Sequence, residues 1–550
     1  MTGWAAVRAL LPARADYRDL RRTWRSDLLA GLTVGIVALP LALAFGVSSG
    51  AGAEAGLVTA IIAGVVAAVF GGSNVQVSGP TGAMVVVLGP IIATHGVGIL
   101  GAVCLLAGLI VVVAGALRLG RAVTFIPWPV IEGFTLGIAV IIFLQQVPAA
   151  LGTKPGPSSN AFVAAVQSFA TAATGALWWS LAVVIVVAAI MIGAPLLHKS
   201  LPGSIIAIVV VSAAAALAHL PVATIGVLPS TLPAPQVPAL DGATVVSLIG
   251  PAFTVAALAA IESLLSARVA VSISDTGPYD ADRELVGQGL ASVASGFFGG
   301  MPATGAIART AVNIRSGGRT RLAAIIHALV LLLVVYVAST VVAVIPLAAL
   351  AGVLMVTAAR MISIGTVRTV LRSTRSDALV FVITALITVS FDLIYAVGIG
   401  IAVAAFFALR AIAATSGVHR EELPGPVRPG DDHIALFRLD GALFFGAADR
   451  ILGRVSAIEN VTVVILRMSQ LQILDATGAQ VITELITRLE RRGITVLIKG
   501  IQTRHVSVAT RVGVISALRH QNHLFDSLDA ATAHARSHII RAAPDTVTPA

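Results

Sequence analysis

The sequence predicts an α-helical polytopic membrane domain of fourteen segments in two halves of seven, followed by a soluble α/β domain. Three observations carry that expectation. Of 550 residues, 57% are hydrophobic and 11% charged, against about 25% charged in an ordinary soluble domain. So few charges cannot clothe a water-facing surface. The polarity is also uneven: apolar runs extend from Asp27 to about Ala414, whereas the chain beyond His433 has the mix of a globular domain. Finally, one short Pro/Thr/Gly/Ala cluster occurs twice, at matching places in the two halves.

The segments follow from length. A helix needs about 20 apolar residues to cross the hydrocarbon. Such stretches fall near 28–48, 53–70, 79–95, 97–117, 124–147, 177–197, 202–219, 247–267, 284–299, 303–314, 321–345, 347–362, 376–392 and 394–412. The third and tenth are too short or too interrupted to cross alone. The Arg-rich stretch Arg14 to Arg25 leads into the first segment with no small-residue cleavage pattern, so a retained membrane anchor is expected rather than a cleaved leader.

Charge placement orients these segments. With the amino terminus inside, the inner loops receive Arg118 and Arg121, His198 and Lys199, Arg268 and Arg283, Arg315 to Arg321, and Arg368 to Arg375. Lys154 is the outer exception. This positive-inside bias predicts a plasma (inner) membrane protein with both termini in the cytoplasm. The net charge of +10 is scattered in short clusters without interleaved aromatics, so no nucleic-acid partner is expected. Cys104, the only cysteine, excludes an internal disulfide and a cysteine-only metal site. The expected organisation is a cytoplasmic segment 1–26, a membrane domain 27–414, a linker 415–432, an α/β domain 433–541 and a tail 542–550.

The repeated cluster is the functional clue. SGPTGAM, Ser78 to Met84, precedes the third segment, and MPATGAI, Met301 to Ile307, precedes the tenth. Paired Gly/Pro-interrupted segments in corresponding positions mark a transporter's central binding site. Thr81 and Thr304 suit helix caps, and Pro80 and Pro302 suit helix starts. A helix beginning at such a place leaves unpaired N–H groups and a positive dipole end. Two such ends facing each other can hold an anion. Glycines 79, 82 and 305 allow close approach; the plainer reading is tight helix packing.

Two ionisable residues lie within the apolar runs. Glu262, in AAIESLLSA, is costly there and becomes a proton-carrier or cation-site candidate. Arg309, in GAIARTAVN, lies about one turn beyond Thr304 and can supply positive charge to an anion, or simply pair with Glu262. Glu132 reads as a cytoplasmic-edge residue, His327 as a helix-packing histidine, and Gln145 and Gln146 as interfacial. With no GxxxxGK[ST], HExxH or GxSxG, the sequence predicts neither an ATP-driven pump nor an enzyme, and no resident cofactor.

The strings GIVALPLALAFG, SGPTGAM, IESLLSA and FGGMPATGAIARTAVNIRSGG resemble the SulP family of sulfate permease-like anion transporters, over nearly the whole chain. The resemblance implies seven-plus-seven inverted repeats, with spans 1–4 and 8–11 as a core sliding against a gate of spans 5–7 and 12–14. It places the anion between the starts of helices 3 and 10, implicating Phe45, Thr81, Gly82, Ala83, Thr304, Gly305, Ala306 and Arg309. PLALAFG is similar to the bicarbonate-transporting branch, since Leu41 stands where the sulfate branch usually has Gln. Sodium-coupled members hold sodium with a helix-8 acid, a hydroxyl one turn on and a Gly-Ala-Thr run. Here Glu262, Ser266, Gly305 and Ala306 match, but Ile307 replaces the threonine, so sodium and proton coupling both stay open and no metal site is firm.

The tail reads as strand 433–439, strand 442–445, helix 447–457, strand 461–467, helix 476–491, strand 494–499 and two further helices. It resembles the STAS domain that closes SulP transporters. In LDATG, Leu474 to Gly478, Thr477 occupies the position where related antagonists carry a phosphorylatable serine. The sequence thus predicts a homodimeric secondary transporter of a small anion, bicarbonate or sulfate before dicarboxylate. A nucleobase symporter of the same architecture and a non-transporting receptor are the rivals.

Overall fold

The computed structural model describes residues 8, 10–121, 126–153, 156, 158, 160–170, 172, 174–197, 201–228, 230–238, 242–390, 393–415, 417–443 and 460–542. Lys154, His198, Lys199, the expected helix 447–457 and residues 543–550 lie outside these. The chain divides into two compact units, Met1–Ala402 and Val403–Ala550.

Each expected segment contains a helix. They are α1 (Leu20–Ser48), α2 (Ala53–Phe70), α3 (Gly82–His95), α4 (Leu100–Ala116), α5 (Trp128–Gln145), α6 (Thr174–Leu197) and α7 (Gly203–Leu217). The second half has α8 (Gly242–Ile273), α9 (Ala281–Phe297), α10 (Ile307–Arg315), α11 (Arg321–Ala343), α12 (Leu347–Met361), α13 (Arg375–Ser390) and α14 (Leu393–Thr415). Two short helices, Ala161–Ala170 and Ile364–Arg372, were not expected. Among the described residues, eight helical stretches are long and apolar enough to cross a membrane. Leu196, Leu217, Trp178 and Val337 are all at least 70% exposed, as lipid-facing side chains would be.

The pairings repeat between the halves. α1 packs on α11 as its counterpart α8 packs on α4, and α2 on α11 as α9 on α4. α3 meets α8 as α10 meets α1; α5 meets α13 as α12 meets α6. Helices 1–4 and 8–11 therefore interlock as one body, while 5–7, 12 and 13 form another, the division expected of core and gate. Small residues permit the closest crossings. A Cβ on Gly108 of α4 would lie 2.6 Å from the Gly289 carbonyl oxygen of α9.

Buried polar groups lock the helix ends. Asp27 accepts from the Arg319 and Thr320 amides and the Thr320 hydroxyl, joining α1 to the start of α11. Asp16 forms a two-pronged pair with Arg283 (2.7 and 3.0 Å). Arg321 donates to the Ala68 and Gly71 carbonyls. Arg283 and Arg321 are thus internal ties, with 7% and 2% exposure, rather than the loop charges expected from sequence. Gln146 is likewise buried and accepts from Ser48, tying α1 to the end of α5, not interfacial. Glu132 accepts from the Trp128 indole. His327 is buried, its ring facing Gly64.

The second unit holds a sheet in the order β3 (Gly417–Glu421), β4 (Ile434–Leu443), β5 (Val463–Arg467), β7 (Thr495–Lys499), β8 (Leu524–Phe525), with β6 (Leu471–Leu474) pairing β4. β3 is antiparallel to β4; the other pairs are parallel. Residues 417–421, expected within a linker, are instead this edge strand, with Val418 buried. The two strands expected at 433–439 and 442–445 are one strand through Leu443, with its register shifted between Gly441 and Ala442. Alternation sorts the faces. Ala435, Phe437, Val464 and Val496 pack with α15 (Ala476–Arg491) and α16 (Thr503–Val512); Ile434, Leu436, Ile465 and Leu497 pack with α17 (Leu528–Ala542). The result is the expected α/β sandwich.

Candidate functional site

The repeated clusters come together. Ser78–Gly79 (β1) and Thr304–Gly305 (β2) pair antiparallel, Ser78 opposite Gly305 and Gly79 opposite Thr304. Their opposed directions are what an inverted repeat demands. α3 and α10 start immediately after them and have 14 and 9 residues, roughly 21 and 14 Å at 1.5 Å per residue, well short of a ~30 Å hydrocarbon core. Both are broken helices, as expected.

Each start leaves its amides without a side-chain cap. Thr81 is the N-cap of α3 with extended backbone (φ −130°, ψ 162°), yet its hydroxyl makes no cap bond. α10 is capped by Ala306, again without a side-chain bond. Thr304 therefore lies two residues before the cap, in β2, rather than at a helix start. Gly82 and Ala83 open α3, and Ile307 opens α10.

The threonine hydroxyls turn instead to one carboxylate. Thr81 Oγ1 donates to Glu262 Oε2 at 2.8 Å, and Thr304 Oγ1 lies 2.9 Å from the same oxygen and 3.0 Å from Thr81 Oγ1. One acid from α8 thus joins the leads into both broken helices. Arg309 is buried and makes no ion pair with Glu262 within 4.0 Å; it donates to the Pro80 carbonyl, and its Nη1 has no partner. The simple Glu262–Arg309 pair is not formed because the guanidinium crosses to the other half. It lies over Gly79, whose φ of 152° favours glycine and where a Cβ would fall 2.7 Å from Arg309 Nη1 and displace the guanidinium.

An apolar wall closes the other side. A Cβ on Gly82 would fall 2.2 Å from Ile142 Cδ1 and 3.4 Å from Phe45 Cε1, so α1 and α5 flank the tip of α3. Phe45 is buried, 7% exposed. Ser266 is also buried, but its hydroxyl faces Thr310 at 3.4 Å, and Ile307 offers no side-chain oxygen.

Supporting residues escaped the sequence reading. Gln76 donates to the Ser263 carbonyl; the Ser263 hydroxyl accepts from the Gly305 amide; Thr310 accepts from the Val77 amide; Asn313 donates to the Val75 carbonyl. Gln288 donates to Ser78 and Glu284. Ser263, Thr310, Asn313 and Gln288 carry a signal of their own, each a polar side chain within an apolar segment, whereas Gln76 lies in the connection before α3. In the second unit Thr477 is exposed in the first turn of α15, which Asp475 caps by accepting from Gly478 at 2.7 Å.

Two inverted halves, each sending a broken helix to a shared polar centre, define the architecture of a membrane transporter. Residues 24–384 match the model of the sulfate permease family and residues 426–531 that of the STAS domain, so the chain belongs to the sulfate permease family. It is similar to the putative sulfate transporter YvdB of Bacillus subtilis (35% identical over 524 residues, 92% of this chain and 97% of that one). It is also similar to the bicarbonate transporter BicA of Synechocystis (32% over 516 residues, 87% and 88%). The solved transmembrane domain of a cyanobacterial BicA matches with TM-score 0.61 at 32% identity, covering 70% of this chain and 97% of that one. SLC26A9 shares the fold at TM-score 0.81 and 17% identity, covering 98% and 95%.

Proposed function

We propose that this protein carries a small inorganic anion, bicarbonate or sulfate, by elevator-type alternating access, with Glu262 as the proton carrier that couples transport to the proton gradient. The observation behind this is the triangle of Thr81, Thr304 and Glu262 oxygens at the two uncapped helix starts. An ionised Glu262 holds both hydroxyls and repels an arriving anion. A protonated Glu262 removes that negative charge and frees a threonine hydroxyl to donate a hydrogen bond to the ligand. Proton and anion then favour each other's binding, and by linkage the coupling is reciprocal. The anion is held by the amides of Gly82, Ala83 and Ile307, by Arg309 and against Phe45, with Thr304, Gly305 and Ala306 shaping the second lead.

Proton coupling is favoured over sodium because hard cations need several oxygen ligands. Ser266 is engaged with Thr310, and Ile307 withholds an oxygen. Kinship to BicA and YvdB supports bicarbonate and sulfate. The core of helices 1–4 and 8–11 would slide against the gate, in a homodimer in the plasma membrane with both termini cytoplasmic. The STAS domain would serve assembly, and Thr477 would be its modification point.

Proteoliposomes loaded with buffer alone test this. Labelled bicarbonate, sulfate and fumarate are offered under proton or sodium gradients imposed separately. Accumulation of bicarbonate or sulfate driven by an inward proton gradient is expected. Accumulation under sodium alone would overturn the proton role, fumarate as the sole cargo would overturn the substrate, and no flux of any anion would favour a receptor.

A further inference from the structure

The second unit holds a cluster that the transport reading leaves unused. His534 and His538 lie one turn apart on α17, with their Nε2 atoms 3.3 Å from each other. His523 ends the short turn Gln521–His523 just before β8 and brings its ring against both, at centroid distances of 5.5 and 5.6 Å. One ligand nitrogen from each of the three lies within 4.8 Å of the others. We infer that His523, His534 and His538 form a site for one divalent transition-metal ion of the zinc class, joining α17 to the β8 edge of the sheet.

Geometry carries this. A tetrahedral zinc with bonds of about 2.0–2.1 Å sets neighbouring nitrogens roughly 3.3–3.4 Å apart, and the His534–His538 pair already has that spacing. A nitrogen of the third ring lies within 4.8 Å of both. The rival reading is aromatic packing, since the three rings meet edge to face and Phe525 lies 5.3 Å from His534. Packing alone does not explain a ring nitrogen left bare. His523 is 2% exposed, yet its Nδ1 has no partner, which is costly unless something binds there. His520 is exposed, with its ring centroid 5.4 Å from that of His523, and stays outside the group of three.

The donor set selects the ion. Three imidazoles suit zinc, nickel, copper or cobalt, and not magnesium or calcium, which require oxygen. The nearby cations are already engaged, Arg519 by Glu490 at 3.1 Å and Arg541 by Ser537.

The test uses untagged full-length protein in detergent, stripped with a chelator and dialysed against micromolar zinc. Metal content is read by mass spectrometry, and cobalt substitution by its visible absorption. About one zinc per chain, with the strong absorption of tetrahedral cobalt, is expected. His534→Gln and His538→Gln, compared as monodisperse folded protein, should each weaken zinc binding on the order of 100-fold. Wild-type protein that retains no zinc overturns the site. Equal retention by wild type and both variants also overturns it, because the metal would then lie elsewhere.

Discussion

The two broken helices start from the same backbone device and differ in what surrounds them. α3 follows SGPT with 14 residues, apolar except for Thr94 and His95 at its end, and its tip meets Phe45 and Ile142. α10 follows PATGA with only 9 residues, among them Arg309, Thr310, Asn313 and Arg315. The symmetry thus builds the scaffold, two amide-bearing tips facing one centre, and the asymmetry builds the chemistry. One half supplies the apolar wall of Phe45 and Ile142; the other supplies Glu262 and Arg309, and each half contributes one threonine hydroxyl to the crossing. Glu262 bonds the threonines of both halves and is the group most sensitive to breaking the comparison.

The largest effect is expected there. Glu262→Gln keeps a hydrogen-bonding side chain but cannot ionise, so proton-driven accumulation should vanish while exchange down a gradient persists. Undiminished proton coupling in that variant would remove Glu262 from the mechanism. Next, Arg309→Ala removes a buried cation at the crossing; apparent anion affinity in flux assays should fall about 10- to 100-fold, the worth of a charge-assisted hydrogen bond. Arg309→Lys should recover part of it, and unchanged affinity in the alanine variant would make the residue purely structural.

On the dry side, Gly82→Ala pushes a methyl toward Ile142 and Phe45. Overpacking of this kind costs about 1–3 kcal/mol, so the half-saturating anion concentration should rise by roughly tenfold. Ile307→Thr probes the opposite half more gently, because it restores a hydroxyl at the start of α10. A sodium stimulation of uptake absent from the wild type is the expected gain, and no sodium effect would show that ligand geometry, not ligand count, excludes the ion. The smallest effect lies outside the membrane. Arg536 hydrogen-bonds Asp431 and holds it below its ordinary 3.8. The pair therefore stabilises the second unit above that value, and the contribution is lost as pH falls through the lower folded value. Arg536→Ala should lower Tm by a few degrees at neutral pH and converge with wild type in strong acid.

Much of this was legible in the sequence, for physical reasons. Long apolar runs locate helices because lipid leaves the backbone no alternative, and the repeated Pro/Thr/Gly clusters located both breaks. Crossing partners were not legible. Nothing local says that Gln76 reaches Ser263, that Asn313 reaches Val75, or that Arg309 prefers the Pro80 carbonyl to Glu262, since those contacts arise only when opposite halves interleave. Arg283 and Arg321 sat at segment ends and read as loop charges, although Asp16 and helix-end carbonyls draw them inside. In the tail, the Pro and charge of 415–432 hid β3, and the four-residue β6 and two-residue β8 were too short to show alternation. The histidines at 520 and 523 lie in a loop and a short turn before β8, and those at 534 and 538 on the helix after it, so only the fold gathers them.

The central claim is that one anion is shared by both helix starts, and thiol protection tests it most directly. Cys104 is the chain's only cysteine, so a Cys104→Ala background is silent. In that background Ala83→Cys and Ala306→Cys are labelled separately with a small thiol reagent, with and without the transported anion. The account predicts that the same anion slows labelling at both positions, with the same concentration dependence. Protection at one position and none at the other would contradict a site shared by the two halves.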